Sequence, residues 1–155
     1  MESAVLEFSA TFLIWLLYGG LFVLWFFGKK INREQVIYAL VAGFLAWSVA
    51  QAIKMLFPTL RPFMVNNEPV GVLITPLGSA FPSAHTAMAF SLAVTMFLLD
   101  GKIGWIYLSV AAFIGIARIL ANVHYPIDIV GGALIGTLVA IVVGKTKFFG
   151  LIRKR

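Results

Sequence analysis

Apolar residues follow one another in five long runs along the chain, and most charged residues collect at the ends of these runs. The runs lie at about residues 8–27, 35–57, 82–99, 103–122 and 126–144. Each is close to the ~20 residues that a helix needs to cross a bilayer. The connections at 28–34 and 100–102 are short, so the helices that they join should be antiparallel. The pattern predicts an all-α integral membrane protein, a bundle of about five transmembrane helices.

One connection is long, at about residues 58–81, and is rich in residues that interrupt helices. These residues are Pro58, Pro62, Pro69, Gly71, Pro76 and Gly78. Such a segment cannot form a single helix, because proline lacks the N–H of the helical hydrogen bond and its ring obstructs the preceding turn. The stretch from Val70 to Ile74 is nevertheless apolar, and we expect it to lie on the bilayer surface or to dip into it.

The composition agrees with lipid as the solvent. The chain has 155 residues, 61% of them hydrophobic and 12% charged, about half the charged fraction (~25%) of soluble domains. This length predicts one domain, residues 1–155. There is no cysteine, which excludes disulfides and a thiolate nucleophile. Glu2 and Glu7 precede the first run without a basic residue, so we expect no cleaved signal peptide.

The basic residues predict the orientation in the membrane. Nine of the twelve lie in the two short connections and the C-terminal tail: Lys29, Lys30, Arg33, Lys102, Lys145, Lys147, Arg153, Lys154 and Arg155. If the helices alternate in direction, all nine fall on one side, which the positive-inside rule makes cytoplasmic. The C-terminus is then cytoplasmic, and the long connection faces outside, in a multi-pass protein of the inner membrane. The net charge of +6 could also indicate a nucleic-acid partner, but charges at helix ends argue against one.

The three remaining basic residues, Lys54, Arg61 and Arg118, all fall on the outer side. Ionisable groups in or beside membrane helices are costly and by default mark function. Lys54 and Arg61 have an alternative interpretation, in which long basic side chains reach up to the lipid headgroups. Arg118 fits that alternative less well, because it lies inside the apolar run from Ala111 to Leu120.

Both histidines of the chain lie on the same outer side. His85 follows Ser83 at the start of the third predicted helix, while His124 follows the fourth and Asp128 lies in the first turn of the fifth. A single interfacial histidine usually has no chemical role. Because both histidines of the chain lie on the same side as these three cations, they predict an active site at the outer membrane–water interface.

These residue types suit phosphoryl transfer, in which positioned cations stabilise negative charge on the peripheral oxygens of phosphorus. Ser83, and backbone amides at the start of the third helix, add neutral donors. One imidazole can attack phosphorus while the other protonates the leaving oxygen. Asp128, four residues after His124, can hold that ring in the attacking tautomer and stabilise the charge that it gains.

A metal-dependent mechanism is a weaker alternative. The carboxylates of the outer side are not spaced as a cluster: Glu2, Glu7, Glu68 and Asp128. Zinc is bound by three or four histidine, cysteine or carboxylate ligands. On the outer side, the two histidines and Asp128 are the only well-placed groups of these types in the sequence. We therefore expect no metal and no other cofactor.

At these residues the chain resembles the type 2 phosphatidic acid phosphatase superfamily, whose motifs are K-x6-R-P, P-S-G-H and S-R-x5-H-x3-D. The corresponding residues are Lys54 with Arg61-Pro62, then Pro82-Ser83-Ala84-His85, then Ala117-Arg118 with His124 and Asp128. All three motifs appear in the family's order and with its internal spacing. The resemblance covers about residues 54–132.

The resemblance implies a role for each matched residue. His124 would be the nucleophile that forms a phosphohistidine, with Asp128 orienting it and His85 acting as the acid for the departing group. Four residues would bind the phosphate of the substrate: Lys54, Arg61, Ser83 and Arg118. The family works without a metal, in agreement with the shortage of ligands.

The chain departs from the family pattern at two motif positions. Ala84 replaces the usual glycine, which matters little if only the backbone amide is used, and Ala117 replaces a serine, which removes one hydroxyl from the phosphate site. Membrane members commonly have six helices, so one helix before Lys54 would be missing. The fifth run also has three residues that we interpret as small positions for close helix packing: Gly131, Gly132 and Gly136.

These observations predict a lipid phosphatase of the outer leaflet, with membrane lipids and a lipid phosphate or diphosphate as its partners. Undecaprenyl diphosphate, cleaved to undecaprenyl phosphate, is the favoured substrate, because the chain has no soluble domain to hold a large head group. Phosphatidylglycerophosphate, phosphatidate and lipid A 1-phosphate are alternatives. A non-catalytic protein that binds or transports polyprenyl phosphates is an alternative of another class, although binding alone needs no nucleophile or proton donor.

Overall fold

The computed structural model describes residues 2–28, 30–70, 72–73 and 75–146, with side chains described from residue 11 onward. Within these ranges the chain has six helices and no strand. The helices are α1 (Glu2–Phe27), α2 (Arg33–Leu56), α3 (Pro62–Asn66), α4 (Ala84–Leu99), α5 (Gly101–Leu120) and α6 (Pro126–Gly144). The all-α class is confirmed. Every predicted boundary but the first lies within two residues of an observed one, and α1 begins at Glu2 rather than near residue 8.

The five long helices have the character of membrane helices. By length and composition α2, α5 and α6 can each span a bilayer, and α4 and residues 11–27 of α1 are shorter apolar helices. Many large apolar side chains point away from the bundle; Trp105, Phe113 and Leu134 are 64%, 65% and 59% exposed. Apolar surface of this extent is expected where lipid surrounds the protein. With five residues, α3 is too short to cross.

Side chains at the helix ends explain where two of the helices begin. Before α2, Asn32 Oδ1 accepts from the Gln35 N–H at 2.9 Å, and Gln35 Oε1 accepts from the Asn32 N–H at 3.0 Å. Before α5, Asp100 Oδ1 accepts from the N–H groups of Lys102 and Ile103 at 2.9 and 3.1 Å. The bond from Ile103 is the main cause of the lowered pKa of Asp100.

α4 lies at the centre of the bundle and packs against α2, α5 and α6, while α1 packs mainly against α5. α4 and α6 approach closely because Gly132 and Gly136 lie between them. A Cβ added at these two glycines would collide with the carbonyl oxygens of Ser83 and Ala87. Their interpretation as packing positions is confirmed, and Gly131 likewise lies against an aromatic ring.

The connections rich in basic residues share one end of the bundle. Lys30 Nζ lies 3.6 Å from Asp100 Oδ2, which joins the α1–α2 connection to the α4–α5 connection. The hydroxyls of Tyr38 and Thr146 are hydrogen-bonded, which brings the segment after α6 to the same end. Five of the nine basic residues that predict the orientation lie outside the described residues: Lys29, Lys147, Arg153, Lys154 and Arg155. The side chains of Glu2 and Glu7 also lie outside those described. The face of the membrane that this end meets stays a prediction.

The apolar stretch of the long connection packs partly on protein. Val72 is buried against Ala117 and Ala121 at the end of α5. Leu73 is exposed, and its N–H donates to Thr11 Oγ1 of α1 at 3.4 Å. Two members of the stretch lie outside the described residues: Gly71 and Ile74. The stretch thus bridges α5 and α1, and its depth in the bilayer stays a prediction.

Candidate active site

Arg61 lies among backbone carbonyl groups at the end of the bundle opposite the basic connections. It is the N-cap of α3 and only 4% exposed. Nε donates to the Gly78 carbonyl at 3.0 Å, Nη2 to the Ser79 carbonyl at 3.1 Å and Nη1 to the Val123 carbonyl at 3.0 Å. Burial lowers the pKa of Arg61, and the carboxylate of Asp128 opposes this shift. The guanidinium therefore joins the long connection to the segment that follows α5.

Lys54, in the last turn of α2, binds the same part of the long connection. Its Nζ donates to the carbonyls of Ser79 and, at 3.1 Å, of Ala80. We call residues 78–80, whose three carbonyls receive Lys54 and Arg61, the carbonyl arch. Gly78 has a φ of 77°, a left-handed conformation that glycine adopts without a steric penalty. Both cations thus donate to protein carbonyls, unlike side chains that extend to the lipid headgroups.

His124 and Asp128 form a buried pair at the start of α6. His124 Nδ1 lies 3.2 Å from Asp128 Oδ2, and the two residues are 3% and 2% exposed. On the other side of the ring, Nε2 lies 3.5 Å from Arg61 Nη1. A carboxylate can only accept and a guanidinium can only donate, so the proton is assigned to Nδ1 and the lone pair to Nε2. A lone pair on Nε2 is the feature that a nucleophilic histidine needs, and a phosphate would have to take the place of the long Arg61 contact to meet it.

Burial, with the cations around it, favours the neutral form of the His124 ring. Burial is the main cause of a pKa lowered to about 4; the hydrogen bond with Asp128 opposes the shift, while Arg118, Arg61 and Lys54 add to it. Arg118, in the last turn of α5, is 5% exposed. Three cations that act on one imidazole form a site suited to a phosphate group, because its negative charge would offset theirs.

A short helix and an asparagine pair brace the segment that carries His124. Asn122, directly after α5, has a left-handed φ of 59°, which asparagine tolerates better than most residues. Its carbonyl accepts from the Phe63 N–H at 3.2 Å, and its side-chain amide exchanges two hydrogen bonds with Asn66 of α3, at 3.1 and 3.2 Å. Sequence reasoning missed this pair, for which the only signal was an asparagine just past a helix end.

Ser83 and His85 belong to the first turn of α4. Ser83 is fully buried, and its Oγ accepts from Thr86 Oγ1 at 3.0 Å and from the Thr86 N–H at 3.4 Å, which caps the helix. Its own N–H donates to the Asp128 carbonyl at 2.9 Å, so α4 and α6 are joined beside the histidine pair. His85 is half-buried, and its ring makes no hydrogen bond within the described part of the chain.

All seven predicted site residues lie at the same end of the bundle: Lys54, Arg61, Ser83, His85, Arg118, His124 and Asp128. Direct contacts join Arg61 to His124 and His124 to Asp128. Among the described residues, no group of three or more histidine, aspartate or glutamate side chains could hold a metal ion. The charged groups of the arrangement are mainly cations, which could bind an anion beside the His124 ring.

The fold and the site together define a class: helical membrane proteins with a histidine–carboxylate pair set among cations. The chain belongs to the PAP2 superfamily, whose family model matches residues 35–149. The resemblance drawn from the three motifs is thus confirmed.

Individual relatives are similar over most of the chain. Bacitracin transport permease protein BcrC of Bacillus licheniformis is 35% identical over 143 residues, which are 92% of this chain and 70% of the relative. Undecaprenyl-diphosphatase BcrC of Bacillus subtilis is 32% identical over 120 residues, which are 77% of this chain and 61% of the relative. The crystal structure of Aquifex aeolicus LpxE is similar with a TM-score of 0.74 and 31% identity, covering 93% of this chain and 86% of that one.

Proposed function

We propose that the chain is a membrane phosphatase that removes the terminal phosphate from undecaprenyl diphosphate and releases undecaprenyl phosphate. The proposal rests mainly on the hydrogen-bonded pair of His124 and Asp128. Nε2 of His124 lies 3.5 Å from Arg61 Nη1. The reaction is assigned to the outer face of the inner membrane, from the distribution of basic residues. Residues 1–155 act as one domain in this proposal, with the motif-bearing core at about 54–132.

In the first step, the Nε2 lone pair of His124 attacks the terminal phosphorus, and the bond from phosphorus to the bridging oxygen breaks. His85 gives a proton to the departing undecaprenyl phosphate. The positive charge that develops on His124 is stabilised by the Asp128 carboxylate. In the second step, water loses a proton to His85 and attacks the phosphohistidine, which releases inorganic phosphate and restores both histidines.

The cations keep donors for the substrate even while they bind the carbonyl arch. An ammonium has three N–H donors and a guanidinium five. Lys54 uses two donors on carbonyls, so one remains. Arg61 uses three on carbonyls and turns one toward His124, so one Nη2–H remains. With Arg118 and the amides at the start of α4, these donors can bind the peripheral oxygens of one phosphate.

No step in this mechanism needs a metal ion, because Lys54, Arg61 and Arg118 supply the positive charge that a metal would otherwise bring. Undecaprenyl diphosphate is supported by the name of the Bacillus subtilis relative and by exposed apolar side chains beside the arch. Leu60 and Leu77 are 63% and 93% exposed there, and could contact an isoprenoid chain. Phosphatidylglycerophosphate, phosphatidate and lipid A 1-phosphate offer the same phosphate chemistry and are the rival substrates.

A second candidate function is the binding or transport of polyprenyl phosphates without hydrolysis. It is favoured by the name of the Bacillus licheniformis relative, a bacitracin transport permease. Binding of a polyprenyl phosphate needs only the cations. A neutral His124 whose tautomer is fixed by Asp128 would then have no function.

Phosphate release by the purified protein tests both candidates. We expect the wild-type protein to release inorganic phosphate from undecaprenyl diphosphate equally well with and without EDTA. His124→Ala should release none, because no attacking atom remains. Activity lost in EDTA and restored by a divalent ion would contradict the metal-free mechanism, and wild-type protein that binds but never cleaves the lipid would favour the second candidate. Phosphate release from each of the rival lipids, measured at matched surface concentrations in one detergent, would rank the substrates.

A further inference from the structure

Two hydroxyl groups outside the three motifs join the segments that carry the cations. Ser79 Oγ accepts from the Thr59 N–H at 2.9 Å, lies 2.9 Å from Thr59 Oγ1 and donates to the Phe57 carbonyl at 2.9 Å. Thr59 Oγ1 accepts from the Phe81 N–H at 2.9 Å, and the Thr59 carbonyl accepts from the Ala80 N–H at 3.0 Å. We call this set of hydrogen bonds the Thr59–Ser79 clasp.

The protons of the clasp fit one arrangement. A hydroxyl has a single proton to donate. The carbonyls of Phe57, at 2.9 Å, and Phe81, at 3.4 Å, can only accept, so the proton of Ser79 goes to one of them, and the proton of Thr59 must then go to Ser79 Oγ. The backbone N–H of Thr59 donates to Ser79 Oγ, and that of Phe81 donates to Thr59 Oγ1. Loss of either hydroxyl therefore leaves at least one backbone N–H without its partner.

The clasp is connected to the cations through Ser79 itself. The side chain of Ser79 lies in the clasp, and its main-chain carbonyl accepts from both Lys54 and Arg61. Ala80 has the same double position, because its N–H donates to the Thr59 carbonyl while its carbonyl accepts from Lys54. The clasp thus includes the two residues whose carbonyls bind Lys54 and one of the three whose carbonyls bind Arg61.

The surroundings of the clasp make it difficult to replace. Leu56, Leu60 and Leu77 beside it are 73%, 63% and 93% exposed, as expected for side chains that meet lipid. The bonds of the clasp lie at the exposed surface of the protein. Where lipid covers that surface, a backbone group that loses its protein partner finds no water to replace it, and the cost of leaving it unpaired rises. A loop without the clasp would rearrange to satisfy its own groups.

We propose that Thr59 and Ser79 are positioning residues, which fix the carbonyl arch and thereby hold Lys54 and Arg61 in place for a phosphate group. The proposal rests on the proposed function for its kinetic consequences, and on the binding of inorganic phosphate, the expected product, for a test that needs no turnover.

Four variants of the full chain separate the hydroxyls from the bulk of the side chains. Thr59→Val removes the hydroxyl and keeps the shape, whereas Thr59→Ser keeps the hydroxyl and removes a methyl group. Ser79→Ala removes the other hydroxyl. Ser48→Ala is its matched control, because Ser48 Oγ donates to a carbonyl one turn back on the exposed side of α2, at 2.9 Å. Each purified protein is titrated with inorganic phosphate by calorimetry, and kcat and KM are measured with undecaprenyl diphosphate.

We expect Thr59→Val and Ser79→Ala to weaken phosphate binding and to raise KM about five- to tenfold, the effect of losing a neutral hydrogen bond. For Thr59→Ser and Ser48→Ala, phosphate affinity and KM should stay within about twofold of wild type. Thr59→Ser keeps the hydroxyl of the clasp, and Ser48 lies away from the clasp. The double variant Thr59→Val/Ser79→Ala should be little worse than either single one, because both remove the same network. If Ser79→Ala does not fold, the two Thr59 variants still make the comparison.

Wild-type phosphate affinity in Thr59→Val would overturn the proposal. So would equal losses in Thr59→Val and Thr59→Ser, because packing rather than the hydroxyl would then be responsible. A wild-type protein that binds no phosphate would also overturn it. A wild-type protein that binds phosphate and cleaves no lipid would defeat the proposed function alone, and the binding series would still decide the role of the clasp.

Discussion

The α4–α6 interface and the end of the bundle around Arg61 bring distant residues together by opposite means. At the interface, side chains are absent: Gly132 and Gly136 let α6 approach until no Cβ would fit. Around Arg61 the chain leaves its helices, and one long side chain donates to three carbonyls of two segments. Close packing sets the distance between helices, whereas polar side chains set the direction of individual groups.

The two regions depend on each other at one point. The Ser83 N–H donates to the Asp128 carbonyl at 2.9 Å, directly beside the place where Gly132 allows the backbones to meet. The interface thus fixes where His124 and Asp128 stand, and the polar end fixes what surrounds them. Changes at the interface should act on stability, and changes at the polar end should act on phosphate binding and turnover.

The largest effect is expected at the histidine–carboxylate pair. Asp128→Asn should lower kcat by at least about a thousandfold, as removal of the carboxylate does in other histidine-dependent sites. The amide can still accept from the Tyr125 N–H, which Asp128 Oδ2 does now at 2.8 Å, but it brings no charge to stabilise the phosphohistidine. Stopped assays of phosphate release measure kcat, and a kcat within tenfold of wild type would contradict the role given to Asp128.

Arg61→Lys should have the next largest effect. One ammonium cannot replace a guanidinium that reaches three carbonyls and His124 Nε2. We expect kcat/KM to fall on the order of a hundredfold, mostly through KM. Arg33→Lys is the control, because Arg33 is exposed over the Trp25 ring at the other end of the bundle. Equal behaviour of the two variants would show that charge alone, not the guanidinium geometry, is what the site needs.

A change at the interface should act on stability instead. In Gly136→Ala the new methyl group would collide with the Ala87 carbonyl, and we expect a loss of about 1–3 kcal/mol in the free energy of unfolding. The activity of the folded fraction should change less than about twofold if the two regions act as described. Gly19→Ala is the matched control, because nothing lies within 4 Å of the added Cβ and alanine favours a helix. A stable but inactive Gly136→Ala protein would remove the distinction between the regions.

The smallest effect is expected from acid. The pKa of His124 is lowered to about 4, so its lone pair should remain available well below the ordinary histidine pKa of about 6.5. As pH falls, His124 is protonated in the unfolded chain at a higher pH than in the folded one. The free energy of unfolding therefore decreases between about pH 6.5 and pH 4. In the folded enzyme the acid limb of kcat/KM should have its midpoint below about pH 5. A midpoint near 6.5 would mean that His124 is not buried among the cations.

Much of the fold could be predicted from the sequence because lipid imposes one length and one character on every crossing helix. The run at 126–144 and the helix Pro126–Gly144 coincide for this reason. The seven candidate site residues could be placed at one end of the bundle, because each of them lies near a helix end in the sequence. Their geometry then follows from the alternation of helix direction.

The contacts within the connections could not be predicted. Thr59 and Ser79 are 20 residues apart, and Asn66 and Asn122 are 56 apart. No periodicity links such positions, because the path of a proline-rich connection has no fixed repeat. The carbonyl arch could not be predicted either. Every residue has a carbonyl, and only the folded path of the chain shows which carbonyls bind Lys54 and Arg61.

His124 is expected to carry the phosphoryl group between the two steps, and rapid quenching can detect this phosphohistidine. Protein is mixed with undecaprenyl diphosphate labelled in the terminal phosphate, quenched in alkali, digested and mapped for label. We predict base-stable, acid-labile phosphate on His124 in wild type and none in His124→Ala. In His85→Ala the label, once formed, should be lost more slowly, because the second step loses its base. Label on another residue, or turnover without any label in wild type and His85→Ala, would contradict a nucleophilic role of His124.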